Sequence, residues 1–320
     1  IKVKEKSKLK KVGEWMGIYL NPGSAMFQKS LKSKIYVDKS GLLAILNELV
    51  DTEQRYVCVS RPRRFGKSIT AYMLAAYYSR ECDSRQLFSK YEIAKEKNFE
   101  QYLNQYETIF LNMQEFLSQS SNIYEMIQLI KRSVLWELLE KYPDFRYFDQ
   151  TNLTRTMQDI YSKTKCPFIV IIDEWDCVFR EFKTDKEAQE RYLDFLRDLL
   201  KDKKYIHLSY MTGILPIKKY GTHSALNMFD EFSMLDPGPL ASYVGFTGSE
   251  VKVLCEKYDM NMEEVKNWYD GYSFIDEPSI YSPRSVVNSM RFKRIGNYWN
   301  QTETFEALRA YIDMNFDGLK

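Results

Sequence analysis

At 320 residues, with 44% hydrophobic and 28% charged side chains, the chain has a folded, globular composition and room for one large α/β domain plus a smaller part; this excludes a largely disordered polypeptide. Its 46 basic and 44 acidic residues leave a net charge of +2, which argues against a surface built throughout for nucleic acid but not against a local basic groove. Five cysteines without C-x-x-C spacing, two histidines (His207 and His223) and the lack of a signal-peptide core or a long apolar run point to a cytoplasmic protein with reduced thiols, without a histidine-rich metal site or a membrane span.

Residues 1–34 read as a basic lead-in. Lys2, Lys4, Lys6, Lys8, Lys10 and Lys11 make either a phosphate- or membrane-surface-binding arm or a solvated terminus, and Gly13, Gly17 and Asn21-Pro22-Gly23 signal turns in place of a regular element. After Tyr36-Val37-Asp38-Lys39-Ser40, the spacing of Leu42, Leu43, Leu46, Leu49 and Val50 predicts a helix with Asp38 as its N-cap.

Tyr56-Val57-Cys58-Val59 reads as a buried strand, Ser60 to Gly66 as a tight basic loop, and Lys67-Ser68 as the opening of a helix. Strand, loop and helix in that order describe a P-loop, because backbone N–H groups and the positive end of the helix converge where a phosphate can sit. Gly66 would let the backbone approach the phosphates, Lys67 would reach their oxygens and the Ser68 hydroxyl would ligate Mg²⁺. Arg63, Arg64 and Phe65 precede Gly66 in the loop, Ile69 follows Ser68 in the first turn, and Arg61 stands where the usual pattern has its first glycine.

Cys82 to Gln105 is charged and irregular, a candidate helical insertion. Thr108 to Met113 predicts a second core strand, and apolar periodicity predicts helices over about 122–141 and 152–164. The β-branched run Phe168-Ile169-Val170-Ile171-Ile172 then predicts a central parallel strand that delivers Asp173 and Glu174 at its carboxyl end, where open α/β sheets bind ligands. There Asp173 would hold Mg²⁺ through water and Glu174 would polarise an attacking water. A charged helix over about 185–201 and a strand from Tyr205 to Met211 follow. Thr212, at the end of that strand, is either a sensor of the terminal phosphate or a plain strand-ending threonine before Gly213.

This alternation predicts an α/β P-loop NTPase core over 35–235 with a central parallel sheet flanked by helices, and the polar stretch from Tyr220 to Gly238 marks its end. A small helical lid is expected over 236–320. It opens on the capping box Thr247-Gly248-Ser249-Glu250, continues from Met262 to Trp268 and resumes after Tyr281-Ser282-Pro283-Arg284-Ser285.

These pieces also carry a family likeness. Tyr36-Val37-Asp38-Lys39, Arg61-Pro62-Arg63-Arg64-Phe65-Gly66-Lys67-Ser68, Thr212-Gly213-Ile214, Gly245-Phe246-Thr247, Trp268-Tyr269-Asp270-Gly271-Tyr272 and Tyr281-Ser282-Pro283 resemble the pattern of the bacterial AAA-ATPase-like domain. That domain commonly precedes a nuclease-like domain of the PD-(D/E)XK superfamily. The resemblance implies a P-loop core in which Arg61-Pro62-Arg63-Arg64 replaces the glycine opening. The sequence departs from the pattern at Trp175, where Tyr is usual, and at Arg284, where Trp is usual. The chain stops at Lys320, short of a complete nuclease-like domain, and Glu250-Val251-Lys252 and Glu264-Val265-Lys266 fall on expected helices, so no nuclease activity is expected of it.

Read together, these features predict an ATP- and Mg²⁺-dependent hydrolase that couples ATP or ADP occupancy to a protein partner or to a nuclease-like domain. The alternative is a nucleotide-gated interaction module with little hydrolysis. Arg63 or Arg64 would either place a positive charge on the transition state or pair with acidic groups, and Trp268, Tyr269 and Tyr272 would either stack on the base or pack a helix end.

Overall fold

The computed structural model describes residues 16–217, 226–273 and 279–298. In chain order they form α1 (Ala25–Leu31), α2 (Gly41–Leu49), β1 (Tyr56–Ser60), α3 (Lys67–Tyr78), α4 (Arg85–Phe88), α5 (Phe99–Tyr102), β2 (Glu107–Asn112), α6 (Met113–Ser118), α7 (Ile123–Lys141), α8 (Leu153–Thr164), β3 (Phe168–Asp173), α9 (Cys177–Glu181), α10 (Lys186–Leu200), β4 (Ile206–Gly213) and β5 (Asp230–Phe232). The C-terminal part adds β6 (Phe246–Thr247), α11 (Gly248–Tyr258), α12 (Met262–Tyr269), β7 (Asp270–Tyr272), β8 (Ile280–Tyr281) and α13 (Pro283–Phe292).

The main sheet is wholly parallel, with strand order β2-β3-β4-β1-β5. Successive strand residues point to opposite faces, so a strand covered on both sides must be apolar throughout. β1 and β3 meet that demand up to their last residues, Ser60 and Asp173, and are buried at every position. Tyr56, Cys58, Phe168, Val170 and Ile172 enter the apolar layer under α6 to α10, while Val57, Val59, Ile169 and Ile171 enter the layer under α1 to α5. A third, smaller core of Val251, Leu254, Val265, Tyr281, Val286 and Met290 holds the C-terminal part together.

Several expectations change. A helix, α1, occupies part of the lead-in that was expected to be irregular, and it is held by Phe27, which stacks on Phe88 with ring centroids 5.5 Å apart. Its seven residues are too few to show a periodic signal. Asp38 does not cap α2 as its N-cap. Ser40 takes that place, and the Asp38 carboxylate accepts from the N–H groups of Ser40 (2.9 Å) and Glu92 (2.8 Å), tying the helix entry to the 3-10 turn Glu92–Lys95. The C-terminal part is not helical alone, since β6, β8 and β7 form a small antiparallel sheet. β5, in the stretch read as polar boundary, is a true edge strand on β1. The basic arm and His223 lie outside the described residues.

Candidate functional site

The C-terminal ends of β1, β4 and β3 are level, because the register places Ser60 beside Gly213, Val59 beside Thr212 and Thr212 beside Asp173. The P-loop leaves the first of these ends and the acidic pair leaves the third. Residues 67 and 173–174, more than a hundred positions apart in the chain, therefore meet at one edge of the sheet, over a cavity of about 930 Å³ lined by Arg63 to Thr70 and by Glu174.

The loop is shaped by backbone constraint. Arg64 (φ +71°) and Gly66 (φ +89°) both adopt the left-handed conformation, and a Cβ added to Gly66 would meet nothing within 4 Å. Gly66 thus presents bare backbone to open space. Where Asn122, Asn152, Asp185, Thr247 and Asn261 cap their own helices with side-chain oxygens, α3 starts at Lys67 without a side-chain cap. Its first N–H groups and the positive end of a 12-residue helix consequently face the cavity.

The Lys67 amine donates to the carbonyl oxygens of Arg61 and Pro62, each at 3.0 Å, and is almost fully buried. Burial pushes its pKa down, opposed by the carboxylates of Glu174, Asp176 and Asp173. Arg61 is fully buried at the loop's entry, where its Nη1 donates to Ser60 O (2.9 Å) and Phe232 O (2.8 Å). It thereby pins the loop to β5, which gives this residue a structural use at the position of the missing glycine. Arg63 and Arg64 line the cavity, half-buried and exposed respectively, and Ile69 lines it from the first turn of α3 with 42% of its surface exposed.

Asp173 lies just off the cavity wall, wholly buried. Its Oδ1 accepts from Glu174 N at 3.0 Å and its Oδ2 has no hydrogen-bond partner. Desolvation raises its pKa to about 6; the nearby Ser68 hydroxyl favours the charged form without making a hydrogen bond of ordinary geometry. A buried, orphaned carboxylate oxygen beside a hydroxyl suits Mg²⁺, a hard cation that keeps most of its waters and takes few protein ligands. No cluster of three or more His, Cys, Asp or Glu capable of holding a metal occurs among the described residues.

Glu174 (φ +56°) lines the cavity, and its Oε2 accepts from Arg180 Nη2 at 2.5 Å. The same guanidinium reaches Asp176 Oδ2 at 3.3 Å, and that carboxylate also accepts from the N–H groups of Ile214 (3.2 Å) and Leu215 (3.0 Å). Asp176 and Arg180 therefore link Glu174 to the loop leaving β4. Neither was singled out in the sequence; the i,i+4 spacing of the two was the available signal.

Other candidates lie elsewhere. Thr212 is fully buried, its hydroxyl donates to Val59 O at 3.0 Å, and it does not line the cavity. Trp268, Tyr269 and Tyr272 do not line it either: Tyr269 donates to Gly296 O at 2.8 Å, Tyr272 meets Phe65 edge-to-face at 5.4 Å, and Trp268 is 46% exposed. Phe65, placed in the nucleotide-binding loop, turns its ring to the C-terminal part, where it also lies close to Gly245 (φ +116°). The apolar wall that periodicity missed comes from the core side of the chain (Ile35, Tyr36 and Val37) and from its C-terminal side (Phe246 and α13), with Ile35, Val37 and Val287 packed against one apolar cluster. Lys39 bridges the two sides: its amine donates to both Glu250 oxygens and to Ser242 O, each at 2.6 Å. Glu250 also closes the capping box of α11, and with Glu264 on α12 the two Glu-x-Lys triplets stand on helices, as expected.

A family model described as Predicted AAA-ATPase matches residues 24–222. Among curated proteins, an uncharacterized protein in the vnfD 5' region of Azotobacter chroococcum mcd 1 is 21% identical over 277 residues, covering 84% of this chain and 51% of that protein. The chain thus spans about half the length of this relative. Solved structures similar to it include PCH-2 of C. elegans (TM-score 0.37, 12% identity, covering 92% of this chain and 74% of that one) and the ORC2 protein of Aeropyrum pernix in ADPNP-ADP complexes (TM-score 0.39, 10% identity, covering 94% and 74%). Another is Cdc6p from Pyrobaculum aerophilum (TM-score 0.35, 13% identity, covering 86% and 68%).

Proposed function

The chain belongs to the predicted AAA-ATPase family, and from that membership we propose that it binds ATP with Mg²⁺ at the P-loop and hydrolyses it, using the nucleotide state to control a partner protein or a nuclease-like domain. The observation that carries this reading is the uncapped start of α3, which opens onto a cavity that has Lys67 and Glu174 on its walls. The N–H groups of Arg64 to Ser68 would receive the β- and γ-phosphates, and Lys67 would exchange one of its two loop carbonyls for a phosphate oxygen. Ser68, with Asp173 through water, would hold Mg²⁺, which when bound neutralises developing charge on the phosphates. Glu174 would orient the attacking water through its oxygen not held by Arg180.

A second reading, slow or absent hydrolysis in a nucleotide-gated module, draws support from the resting state of those groups. Lys67 is bound to its own loop, Glu174 to Arg180, and Phe65 joins the loop to the C-terminal part. Steady-state phosphate release separates the two readings, and equilibrium ATP binding by the wild type and Lys67→Ala tests their common base. Loss of tight binding in the variant is expected; unchanged affinity would remove the P-loop assignment altogether.

A further inference from the structure

One short stretch of backbone, residues 213–215, touches both the root of the P-loop and the turn that follows Glu174. Gly213 O, at the end of β4, accepts from Arg61 N at 3.0 Å, and Leu215 O accepts from the Ser60 hydroxyl at 3.1 Å. The same stretch is gripped a second time by the Asp176 carboxylate, which takes the N–H groups of Ile214 and Leu215. Gly213 leaves no slack in that grip, since a Cβ on it would come within 2.6 Å of Asp176 Oδ1 and 2.8 Å of Trp175 Nε1. Glycine is needed there for close approach. The spacing between the loop's root and the turn after Glu174 is therefore set by packed backbone.

Local helix chemistry does not account for Asp176. It holds the N-cap position of α9 yet makes no side-chain cap there. It is also wholly buried, and a buried carboxylate is costly unless a cation answers it. Two backbone N–H groups could be met by a neutral amide oxygen. What calls for a charge is the guanidinium of Arg180, whose Nε lies 3.3 Å from Asp176 Oδ2 while its Nη2 donates to Glu174 Oε2 at 2.5 Å. A planar guanidinium cannot turn at one end without turning at the other, so the place of the Glu174 carboxylate follows from that of Asp176.

We propose that Asp176 is a positioning residue for hydrolysis: acting through Arg180, it sets the Glu174 carboxylate at a fixed distance from the P-loop, with the 213–215 backbone as the spacer. The assignment rests on the hydrolase reading above and deepens it by naming what orients the glutamate. It also accounts for an aspartate that does not cap its own helix and for the glycine that ends β4. Asp176 does not line the cavity, so its loss is felt in the rate and not in binding.

The test is steady-state phosphate release and equilibrium ATP binding, both with Mg²⁺, in the wild type, Asp176→Asn, Arg180→Gln and the double variant. Asparagine keeps the size and an oxygen for the two N–H groups but gives up the charge. Turnover in Asp176→Asn is expected to fall about tenfold with ATP affinity within about twofold of the wild type, as for a group that orients without binding. Because the two residues act as one unit, the double variant should stay near the roughly tenfold loss of either single change and not fall about a hundredfold. Asp176→Ser carries the same expectation should Asn impair folding; failure of both to fold would overturn the assignment by marking Asp176 as a residue of the fold alone. Turnover within about twofold of the wild type, losses that multiply in the double variant, or affinity and turnover that fall together would also overturn it while leaving the phosphate site standing. A wild type that binds ATP and releases no phosphate would overturn the hydrolase reading and this assignment with it.

Discussion

Replacing Asp173 by Asn should make the nucleotide-free protein more stable while weakening its hold on Mg²⁺. The wild-type carboxyl is buried with one oxygen unpaired, and desolvation lifts its pKa from 3.8 to about 6. For an acid so shifted, the fold favours the protonated form, so its contribution to stability is full below the unfolded pKa and is lost as pH rises through the folded one. Keeping the group ionised at pH 7 then costs about 3 kcal/mol, against about 1 kcal/mol at pH 4.5, where most of the native population is protonated. Asparagine keeps the shape and avoids the charge, so guanidinium unfolding without nucleotide should show the variant gaining up to about that amount at pH 7 and clearly less at pH 4.5. Excess Mg²⁺ and ATP should stabilise the wild type far more than the variant. An unliganded variant that is no more stable than the wild type at pH 7, or one whose gain does not shrink in acid, would refute the account of Asp173 as a carboxylate held dry for a cation.

Glu174→Gln should keep ATP affinity and cut phosphate release by roughly two orders of magnitude; turnover near the wild-type level would remove the glutamate from the chemistry. Arg180 fixes one Glu174 oxygen, so Arg180→Gln should lower turnover by about tenfold with ATP affinity nearly unchanged, and Arg180→Lys should recover part of the loss. Equal loss of affinity and turnover in both Arg180 variants would instead mark a purely structural residue. Lys39→Met leaves Glu250 and the Ser242 carbonyl without their shared donor, a loss of about 1–3 kcal/mol for a half-buried charged pair. Hydrogen exchange should quicken in α11 and stay unchanged in β1, β3 and β4, and uniform protection across both regions would show that the bridge holds nothing.

What could be read in advance was whatever repeats with a period or fills a long stretch. β3 announced itself because burial on both faces demands an unbroken apolar run, and Asp173 and Glu174 at its end inherited their placement from it. The helices over 123–141, 153–164 and 186–200 carry regular apolar stripes, and the capping box at Thr247 is a local code that needs no tertiary context. The two-residue strands β6 and β8 and the three-residue β5 have no period to read; partners distant in the chain make them strands. The same holds for the site. Lys67 and Ser68 follow from a motif, but the apolar wall combines residues near 36, 246 and 287, and only folding reveals that Tyr269 and Tyr272 turn away from it. Arg61 shows the converse, since a motif glycine absent from its position is replaced by a side chain whose purpose, a buried bond to β5, exists only in three dimensions.

The ring of Phe65 belongs to the phosphate loop by sequence and to the small C-terminal sheet by contact. A loop that settles around a polyphosphate, as proposed, would press on Tyr272 as it shifts, and a tug on the small sheet would be felt at the loop in return. On the proposed reading, that contact would give the small sheet a mechanical handle on the phosphate site, one rigid ring wide.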